Sequence, residues 1–159
     1  MSEKSSAIAV RAAQPSDVQA IHDLLLIYSR QRIVLERSVA DIQHYLGNFL
    51  VAEMEGKFAG CVAVRDFGNH LLEVRSLAVV PELVGSGVGR ALVEYAVEKQ
   101  KKTHEHFRLF ALTLQPEFFK RLGFEVVGKE LFPEKIWSDC LNCPKKECCD
   151  EYAVMYNGD

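Results

Sequence analysis

The sequence predicts a mixed α/β domain, and three observations support this prediction. Apolar residues recur at helical spacing in two segments before residue 50, and short apolar runs separated by turn residues follow them. A glycine-rich turn then lies between an apolar run and a further helical pattern. Because a chain of 159 residues with 48% hydrophobic residues can bury one sizeable core, we expect a single domain over residues 1–159.

The first part of the chain is expected to contain one strand and two helices. The apolar run at 7–11 predicts the strand, and Pro15 and Ser16 are expected to open a helix, with Gln19 completing a capping box. A second helix is expected to start at Ser38, before apolar positions that again follow helical spacing. The apolar face of the first helix comprises Val18, Ile21, Leu24, Leu25 and Tyr28.

The rest of the chain is expected to alternate strands with two helices. Glu55-Gly56-Lys57 should turn one strand into the next as a hairpin, and Gly123 should end a short helix at 115–122. A longer helix is expected to present Val88, Leu92, Tyr95 and Ala96 to the core. Strands are predicted at 49–53, 58–64, 72–80, 107–112, 125–129 and 152–156, with an irregular excursion at 131–151.

Charge and hydropathy exclude several classes of protein. A net charge of −3 and a pI near 6.0 do not suit a protein that binds nucleic acid or an acidic membrane. No apolar run approaches the roughly 20 residues that span a bilayer, and residues 1–10 lack the apolar core of a signal peptide. We therefore expect a cytoplasmic protein without nucleic-acid or membrane partners, with residues 1–6 as a disordered tail.

The glycine-rich turn is typical of an anion-binding loop. Gly85, Gly87 and Gly89 lie between an apolar run that stops at Pro81 and a helical pattern that begins at Val88. Glycines let backbone N–H groups point into one concavity, and the helix adds the positive end of its dipole. Neither the dinucleotide fingerprint nor the P-loop matches this spacing. A glycine-rich turn without a ligand is the alternative.

This turn resembles the acyl-coenzyme A loop of the GNAT acetyltransferases, in which an Arg or Gln precedes G-x-G-x-G/A between a strand and a helix. Val84 stands at the Arg/Gln position, so backbone amides are expected to do most of the pyrophosphate binding. The resemblance implies the GNAT fold, a mixed and mostly antiparallel twisted sheet flanked by helices, with acetyl-coenzyme A as co-substrate. It places the coenzyme at Leu77, Ala78, Val79, Val84, Gly85, Ser86, Gly87, Val88, Gly89 and Arg90.

A second segment supports this resemblance. Residues 116–124 are similar to the family's F-Y-x-x-x-G-F segment, which packs beside the pantetheine of the coenzyme. Phe119 stands where many members have a tyrosine that protonates the departing thiolate, so another donor or water must serve here. A thiol pKa near 8.5 makes the leaving group tolerable without a dedicated acid. The alternative is that Phe118, Phe119 and Phe124 are core residues.

Four segments narrow the resemblance to the short, stand-alone bacterial N-acetylglutamate synthases. They are residues 35–38, 73–79, 116–124 and 131–145, and the last is the most specific because the acetyltransferase fold does not demand its Pro-x-Lys-x-Trp-x-Asp-Cys-x-x-Cys-Pro-Lys run. The resemblance implies acetyl transfer to L-glutamate, the first step of arginine biosynthesis, and favours a homodimer.

Glu73 is the candidate general base. An amino acid's amine is mostly protonated near neutral pH, and acetyl transfer needs the neutral amine, so a base must sit within one hydrogen bond or one water of it. Glu73 lies on the strand that leads into the loop, and strand alternation places it on the same face as Arg75, Leu77 and Val79. The alternative is a surface carboxylate paired with Arg75.

Three cationic residues are candidates for the acceptor site. A glutamate substrate presents two carboxylates, and the planar fork of an arginine can bind a carboxylate in two places. Arg37 precedes the second helix, Arg75 lies two residues from Glu73, and Lys135 lies in the most specific segment. Because the chain has 19 Lys and Arg, solvated surface charge is the alternative for each of them.

The five cysteines form two groups. Cys61 lies in a strand of small apolar residues and is expected to be a buried thiol. Cys140 and Cys143 have the spacing of half a zinc site, but adjacent residues such as Cys148 and Cys149 rarely direct both sulfurs at one ion. We expect free thiols or a surface disulfide there and no required metal, with structural zinc as the alternative.

The sequence therefore predicts an N-acetyltransferase that moves acetyl from acetyl-coenzyme A to a small amino acid, with L-glutamate favoured. The alternatives are a GNAT enzyme for another amine or a protein N-terminus, and a module that binds acyl-coenzyme A without catalysis.

Overall fold

The computed structural model describes residues 8–31, 37–128 and 152–158, and these contain seven strands and four helices. The strands occur in the order β1-β2-β3-β4-β5-β7-β6. Strands β4 and β5 are parallel, and the pairs β1–β2, β2–β3, β5–β7 and β6–β7 are antiparallel. The mixed, mostly antiparallel sheet is therefore confirmed. In chain order the elements are β1 (Ile8–Ala12), α1 (Val18–Arg30), α2 (Val39–His44), β2 (Phe49–Met54), β3 (Lys57–Asp66), β4 (Leu71–Val79), α3 (Val88–Thr103), β5 (Phe107–Thr113), α4 (Pro116–Lys120), β6 (Glu125–Val127) and β7 (Tyr152–Gly158).

The described residues belong to two compact units. The first unit runs to Arg65 and resumes over Val74–Gln100, and the second comprises Asp66–Glu73 and the chain from Lys101 onward. Strand β4 therefore begins in the second unit and continues in the first. The single domain expected from chain length stays a prediction. The predicted tail at 1–6 and the cysteine-bearing excursion at 131–151 lie outside the described residues.

The core of the first unit forms between α1, α2 and the strands β2 and β3. Ile21, Leu25 and Ile42 pack with Phe49 and Val51, and each is at most 1% exposed. Four of the five residues predicted for the α1 face are buried, and Tyr28 is half-buried. The helical spacing thus identified this face correctly, because only one stripe of an amphipathic helix can face the core.

The start of α1 differs from the prediction. A short helical turn at Pro15–Asp17 leads into α1, and the Asp17 carboxylate accepts a hydrogen bond from the Gln14 backbone N–H at 2.7 Å. Arg11 on β1 donates to the same carboxylate at 2.7 Å and to Glu53 on β2 at 3.1 Å. The Arg11 hydrogen bonds hold the pKa of Asp17 below its usual value. The predicted box between Ser16 and Gln19 is wrong because Gln19 bonds Asp23 within the helix instead.

One turn, one strand end and one helix face refine the predictions of secondary structure. The β2–β3 hairpin turns at Glu55 and Gly56, which both have left-handed backbone, as a two-residue turn requires. Strand β3 extends to Asp66, beyond its predicted end. In α3 the predicted core residue Tyr95 is 42% exposed, and Val93 and Val97 are buried in its place.

The second unit is built on β5 and β7, which pair along their full lengths. The first residues of β4, Leu71–Glu73, pair in parallel with Arg108–Phe110 of β5. Leu71, Phe110, Ala153 and Met155 form its core. Gly123, with φ of +98°, follows α4 where the sequence predicted a helix stop. Among the described helices, none is both long enough and apolar enough to cross a bilayer.

Candidate active site

The glycine-rich loop leads from the end of β4 into α3. A short helical turn at Pro81–Leu83 precedes the loop, and α3 begins at Val88 as the sequence predicts. Gly85 and Gly87 have φ angles of +89° and +96°, a region that side chains disfavour. The chain therefore turns tightly at these two glycines, just before α3, without steric cost.

The space in front of these glycines is open. Among the described residues, a Cβ added at Gly85 would meet nothing within 4 Å, and one at Gly87 would meet the Cδ1 atom of Ile8 at 3.8 Å and no other atom within that distance. The N–H of Ala91 bonds the Gly87 carbonyl at 3.0 Å, so the intrahelical bonds of α3 begin there. Earlier N–H groups of a first helical turn have no partner within the helix. The loop thus combines open space, a helix N-terminus and glycine backbone, which suits a phosphate group.

The side chains of the loop contribute little to this cradle. Val84, at the position of the family's Arg or Gln, is 66% exposed. Ser86 donates its hydroxyl to the Leu83 carbonyl. Arg90 is exposed and pairs with Glu94 one turn along α3, at 3.0 Å. The arrangement agrees with an anion site made by backbone amides.

The strand before the loop is irregular at Ser76, which has a left-handed φ of +55°. Two-residue alternation depends on extended backbone, so the shared face of Glu73, Arg75, Leu77 and Val79 stays a prediction. The irregularity could not be read from the sequence because Ser has no preference for left-handed backbone.

Two contacts fix the end of β4 against its neighbours. The Tyr28 hydroxyl of α1 donates to the Val79 carbonyl at 2.7 Å, and burial raises the pKa of that tyrosine. Gly60 of β3 lies so close that an added Cβ would be 2.7 Å from the Ala78 carbonyl and 3.1 Å from the Val88 side chain. Tyr28 was predicted only as part of the apolar face of α1, and Gly60 was not singled out, although a glycine inside a strand is a known sign of close backbone approach.

A cleft of about 250 Å³ lies in the first unit between α2 and the strands β3 and β4. Its floor includes Ala63 and Val64 of β3. The structure brings Arg37 and Arg75, two of the three predicted acceptor residues, to this one cleft, while Lys135 lies outside the described residues. The other polar and aromatic lining residues are Asp41, Tyr45, Asn48 and Arg65.

Arg37 is held in place from several sides. Its Nε atom is 2.6 Å from an Asp41 carboxylate oxygen, and its Nη1 atom donates to the Ser76 hydroxyl at 3.4 Å. Its guanidinium carbon lies 5.0 Å from the Phe49 ring centroid and 5.8 Å from that of Tyr45. Only 12% of the side chain is exposed. A guanidinium fixed in this way loses little entropy when it binds a carboxylate.

The sequence contained a sign of part of this arrangement. Ser38 caps α2, because its hydroxyl accepts from the Asp41 N–H at 3.0 Å. Arg37 and Asp41 are four residues apart, the spacing at which charged side chains meet along a helix. Asp41 could therefore have been found, whereas Arg65 comes from another strand and carries no local sign of its position.

Glu73 and Phe119, the other two predicted site residues with side-chain roles, belong to the second unit. Glu73 is 3% exposed, so the alternative of a surface carboxylate is wrong. Phe119 is 4% exposed and packs edge-on against Phe118 and Phe124, with ring centroids 5.1 Å apart in each pair. At least Phe119 and Phe124 are core residues, and a contact of Phe119 with the coenzyme stays a prediction.

Cys61 is fully buried in β3, and its thiol donates to the Ser76 carbonyl at 3.5 Å. Burial raises the pKa of the Cys61 thiol to about 12. The thiolate needed for acyl transfer through sulfur is therefore not populated near neutral pH, which confirms the prediction of a structural thiol. Cys140, Cys143, Cys148 and Cys149 lie outside the described residues.

The strand, the glycine-rich loop and the helix that follows it lie in the part of the chain that matches a known family of acetyltransferases. The family model for the acetyltransferase (GNAT) domain matches residues 46–126, which include both β4 and the glycine-rich loop. The chain belongs to the GNAT acetyltransferase family and is an acetyl-CoA-dependent N-acetyltransferase.

Its relatives narrow this description. The chain is 43% identical over 148 residues to an uncharacterized N-acetyltransferase of Chlorobaculum tepidum, covering 92% of this chain and 94% of that one. It is also 36% identical over 129 residues to an amino-acid acetyltransferase of Mycobacterium tuberculosis, covering 79% and 73% of the two chains. The module without catalysis considered above is therefore not favoured.

Solved structures share the fold. An M. tuberculosis protein in complex with CoA superimposes with a TM-score of 0.78 and 29% identity, over 93% of this chain and 98% of that one. The N-acetylglutamate synthase of Neisseria gonorrhoeae, in complex with coenzyme A and N-acetyl-glutamate, gives a TM-score of 0.83 at 24% identity. That match covers 96% of this chain but 35% of the gonococcal chain, so it supports the fold of one part of a longer enzyme.

Proposed function

We propose that this enzyme transfers the acetyl group of acetyl-CoA to the α-amine of an acidic amino acid, with L-glutamate as the acceptor. The observation that carries the proposal is a small cleft that both Arg37 and Arg75 line. The name of the M. tuberculosis relative, amino-acid acetyltransferase, supports the acceptor class. The N-acetyl-glutamate bound by the gonococcal enzyme supports the choice of glutamate.

The glycine-rich loop fits the pyrophosphate of the coenzyme. Backbone N–H groups at Gly85, Gly87 and the first turn of α3 would bind the phosphate oxygens, and the open space at both glycines would admit them. Leu77, Ala78 and Val79 lie on the strand that leads into this loop, where the pantetheine is expected. Bound acetyl-CoA supplies an acetyl group activated as a thioester.

The dimensions of the cleft suit a small acceptor. Sites for drug-sized ligands occupy roughly 300–1,000 Å³, so a cleft of about 250 Å³ matches a single amino acid better than a peptide. Guanidinium groups prefer planar carboxylates, which they bind through two parallel hydrogen bonds. An amino acid with a second carboxylate would engage more than one of the arginines.

Glu73 is the proposed base. It is a buried carboxylate on β4, two residues before Arg75 in the chain. Glu73 would take a proton from the ammonium group, which leaves the amine lone pair free to attack. Phe119 has no proton to donate, so the departing thiolate takes its proton from another group or from water.

A panel of acceptors tests this function. Release of free thiol from acetyl-CoA would be followed with glutamate, glutamine, aspartate, other amino acids and a peptide with a free N-terminus. We expect the highest kcat/KM with glutamate. A higher value with the peptide or with a neutral amino acid would contradict the proposed acceptor while leaving acetyl transfer itself intact.

The loop assignment gives a separate prediction. Gly87→Val places a branched side chain in the open space and strains a backbone with a φ of +96°, so CoA affinity measured by calorimetry should fall at least about tenfold. Gly68→Val in the β3–β4 turn is the matched control, because that glycine also has a positive φ and open surroundings. Equal CoA affinity in the two folded variants would refute the assignment.

A further inference from the structure

Strand β4 holds a strained residue, Ser76, whose φ is +55°. Of the other described non-glycine residues with positive φ, Glu55, Asn69 and His70 lie in the turns that precede β3 and β4, where such backbone reverses the chain. Ser76 lies inside a strand. Left-handed backbone at a serine there costs free energy and persists because neighbouring contacts hold it, and strain of this kind is concentrated at functional sites.

Two contacts hold Ser76 from different elements. The fully buried Cys61 thiol of β3 donates to the Ser76 carbonyl at 3.5 Å. The Nη1 atom of Arg37 donates to the Ser76 hydroxyl at 3.4 Å. Because the alternation of side chains along a strand depends on extended backbone, the left-handed φ sets the direction of this hydroxyl. Ser76 thus contacts the core strand through its backbone and a cleft arginine through its side chain.

The hydroxyl of Ser76 ties Arg37 to the sheet. Among the described residues, the two hydrogen-bond partners of Arg37 are Asp41 and Ser76. Asp41 is four residues along the chain on α2, so its bond at 2.6 Å connects Arg37 to that helix. The Phe49 ring supports one face of the guanidinium, but a ring face does not fix the directions of the N–H groups as a hydrogen bond does.

This direction matters for binding, because a guanidinium holds a carboxylate through two parallel N–H···O bonds of defined geometry. Beyond Ser76, β4 continues through Leu77, Ala78 and Val79 toward the glycine-rich loop. An arginine oriented by Ser76 therefore takes its direction from the strand that leads to the proposed coenzyme site.

We infer that Ser76 is a positioning residue for the acceptor amino acid: its hydroxyl orients Arg37 for carboxylate binding. The strained backbone of β4 is retained because it aims this hydroxyl at the arginine. The inference rests on the proposed function, in which Arg37 holds a carboxylate of the acceptor.

The test is a double-mutant cycle between Ser76 and Arg37. Ser76→Ala removes the hydroxyl, and we expect KM for glutamate to rise about three- to tenfold while KM for acetyl-CoA changes less than about twofold. In the Arg37→Ala background the same substitution should have no further effect on kcat/KM, because Ser76 acts through Arg37. Steady-state kinetics of the four enzymes measure the coupling.

Ser76→Gly separates the hydroxyl from the strain. Glycine also lacks the hydroxyl but adopts a φ of +55° at little cost. Its melting temperature should therefore exceed that of Ser76→Ala, whereas KM for glutamate should rise equally in both. Ser29→Ala is the matched control, because it removes a half-buried hydroxyl of α1 that donates to the Leu26 carbonyl at 3.1 Å, and it should leave KM for glutamate unchanged.

The outcomes separate the inference from the function on which it rests. If glutamate is not acetylated, or a folded Arg37→Ala keeps full activity, the proposed acceptor site fails and the role of Ser76 fails with it. If Arg37→Ala is impaired but Ser76→Ala leaves KM unchanged, or the two losses are additive, Ser76 is not a positioning residue and the acceptor site stands.

Two further results are decisive. If Ser76→Gly regains the wild-type KM, the loss in Ser76→Ala came from backbone strain, and the inference is overturned. If Ser76→Ala does not fold, Ser76→Gly takes its place in the cycle, and additivity with Arg37→Ala again refutes the role of the hydroxyl.

Discussion

Glu73→Gln should lower kcat near neutral pH by about 10² to 10⁴-fold while CoA affinity stays nearly unchanged. The substitution keeps the shape of a side chain that is 3% exposed but removes its ability to accept a proton. Activity should recover at high pH, where the amine loses its proton without assistance. The measurement is a pH profile of kcat for both enzymes with glutamate at saturation.

Asp17→Asn is the control for burying an amide in place of an acid. Asp17 is also buried, at 8% exposed, and binds Arg11. Because its folded pKa is lowered, its contribution to stability is present above the unfolded value near 3.9 and is lost as the pH falls through the folded value. Asp17→Asn should thus lower the melting temperature at neutral pH and spare kcat. An unchanged kcat in Glu73→Gln would make Glu73 a structural carboxylate.

Arg37→Ala should reduce kcat/KM for glutamate by about 30- to 700-fold, which corresponds to roughly 2–4 kcal/mol. The reason is that a bound carboxylate would lose its partner in a largely shielded position and the Asp41 charge would be left uncompensated beside it. Steady-state kinetics with glutamate and glutamine measure the effect. Glutamate and glutamine both present an α-carboxylate, so an equal loss with both would assign that carboxylate to Arg37, and a loss with glutamate alone would assign the side-chain carboxylate.

Asp41→Asn separates binding from positioning. It removes the ion pair at 2.6 Å but keeps the Arg37 charge, so we expect a smaller loss than in Arg37→Ala, expressed mainly in KM. If Asp41→Asn were as damaging as Arg37→Ala, the pair would act as structural support of α2. Full activity of a folded Arg37→Ala would show that the carboxylates are bound elsewhere.

Local pattern predicted most of the secondary structure. The period of 3.6 residues located α1 and its buried face, and α2 begins directly after Ser38, next to its predicted start, with the Ser38 hydroxyl as its cap. Glycine spacing located the tight turn before α3, because positive φ angles at Gly85 and Gly87 favour glycine, and coenzyme binding at this turn stays a proposal. The hydrogen bonds of Asp17 before α1 were missed because the partner that orients this carboxylate is Arg11 on a strand.

The position of the acceptor residues was predictable only in part. Arg37 and Arg75 were expected near the acceptor on account of their neighbours in sequence, and the structure brings both to one cleft. Arg65 was not expected, because nothing within a few residues of it distinguishes it from a solvated surface arginine. The chain contains many charged residues of this kind, and only the pairing of strands determines which of them line the cleft.

The sequence by itself determined the family, the loop and the order of the elements, because these depend on residue types at short, regular spacing. Only the tertiary structure shows the left-handed backbone of Ser76 in β4, the close approach of Gly60 in β3 to β4, and the set of charged residues that line one cleft. These features depend on contacts between residues that are far apart in the chain. Their energies come from packing and charge pairing, which local pattern does not encode.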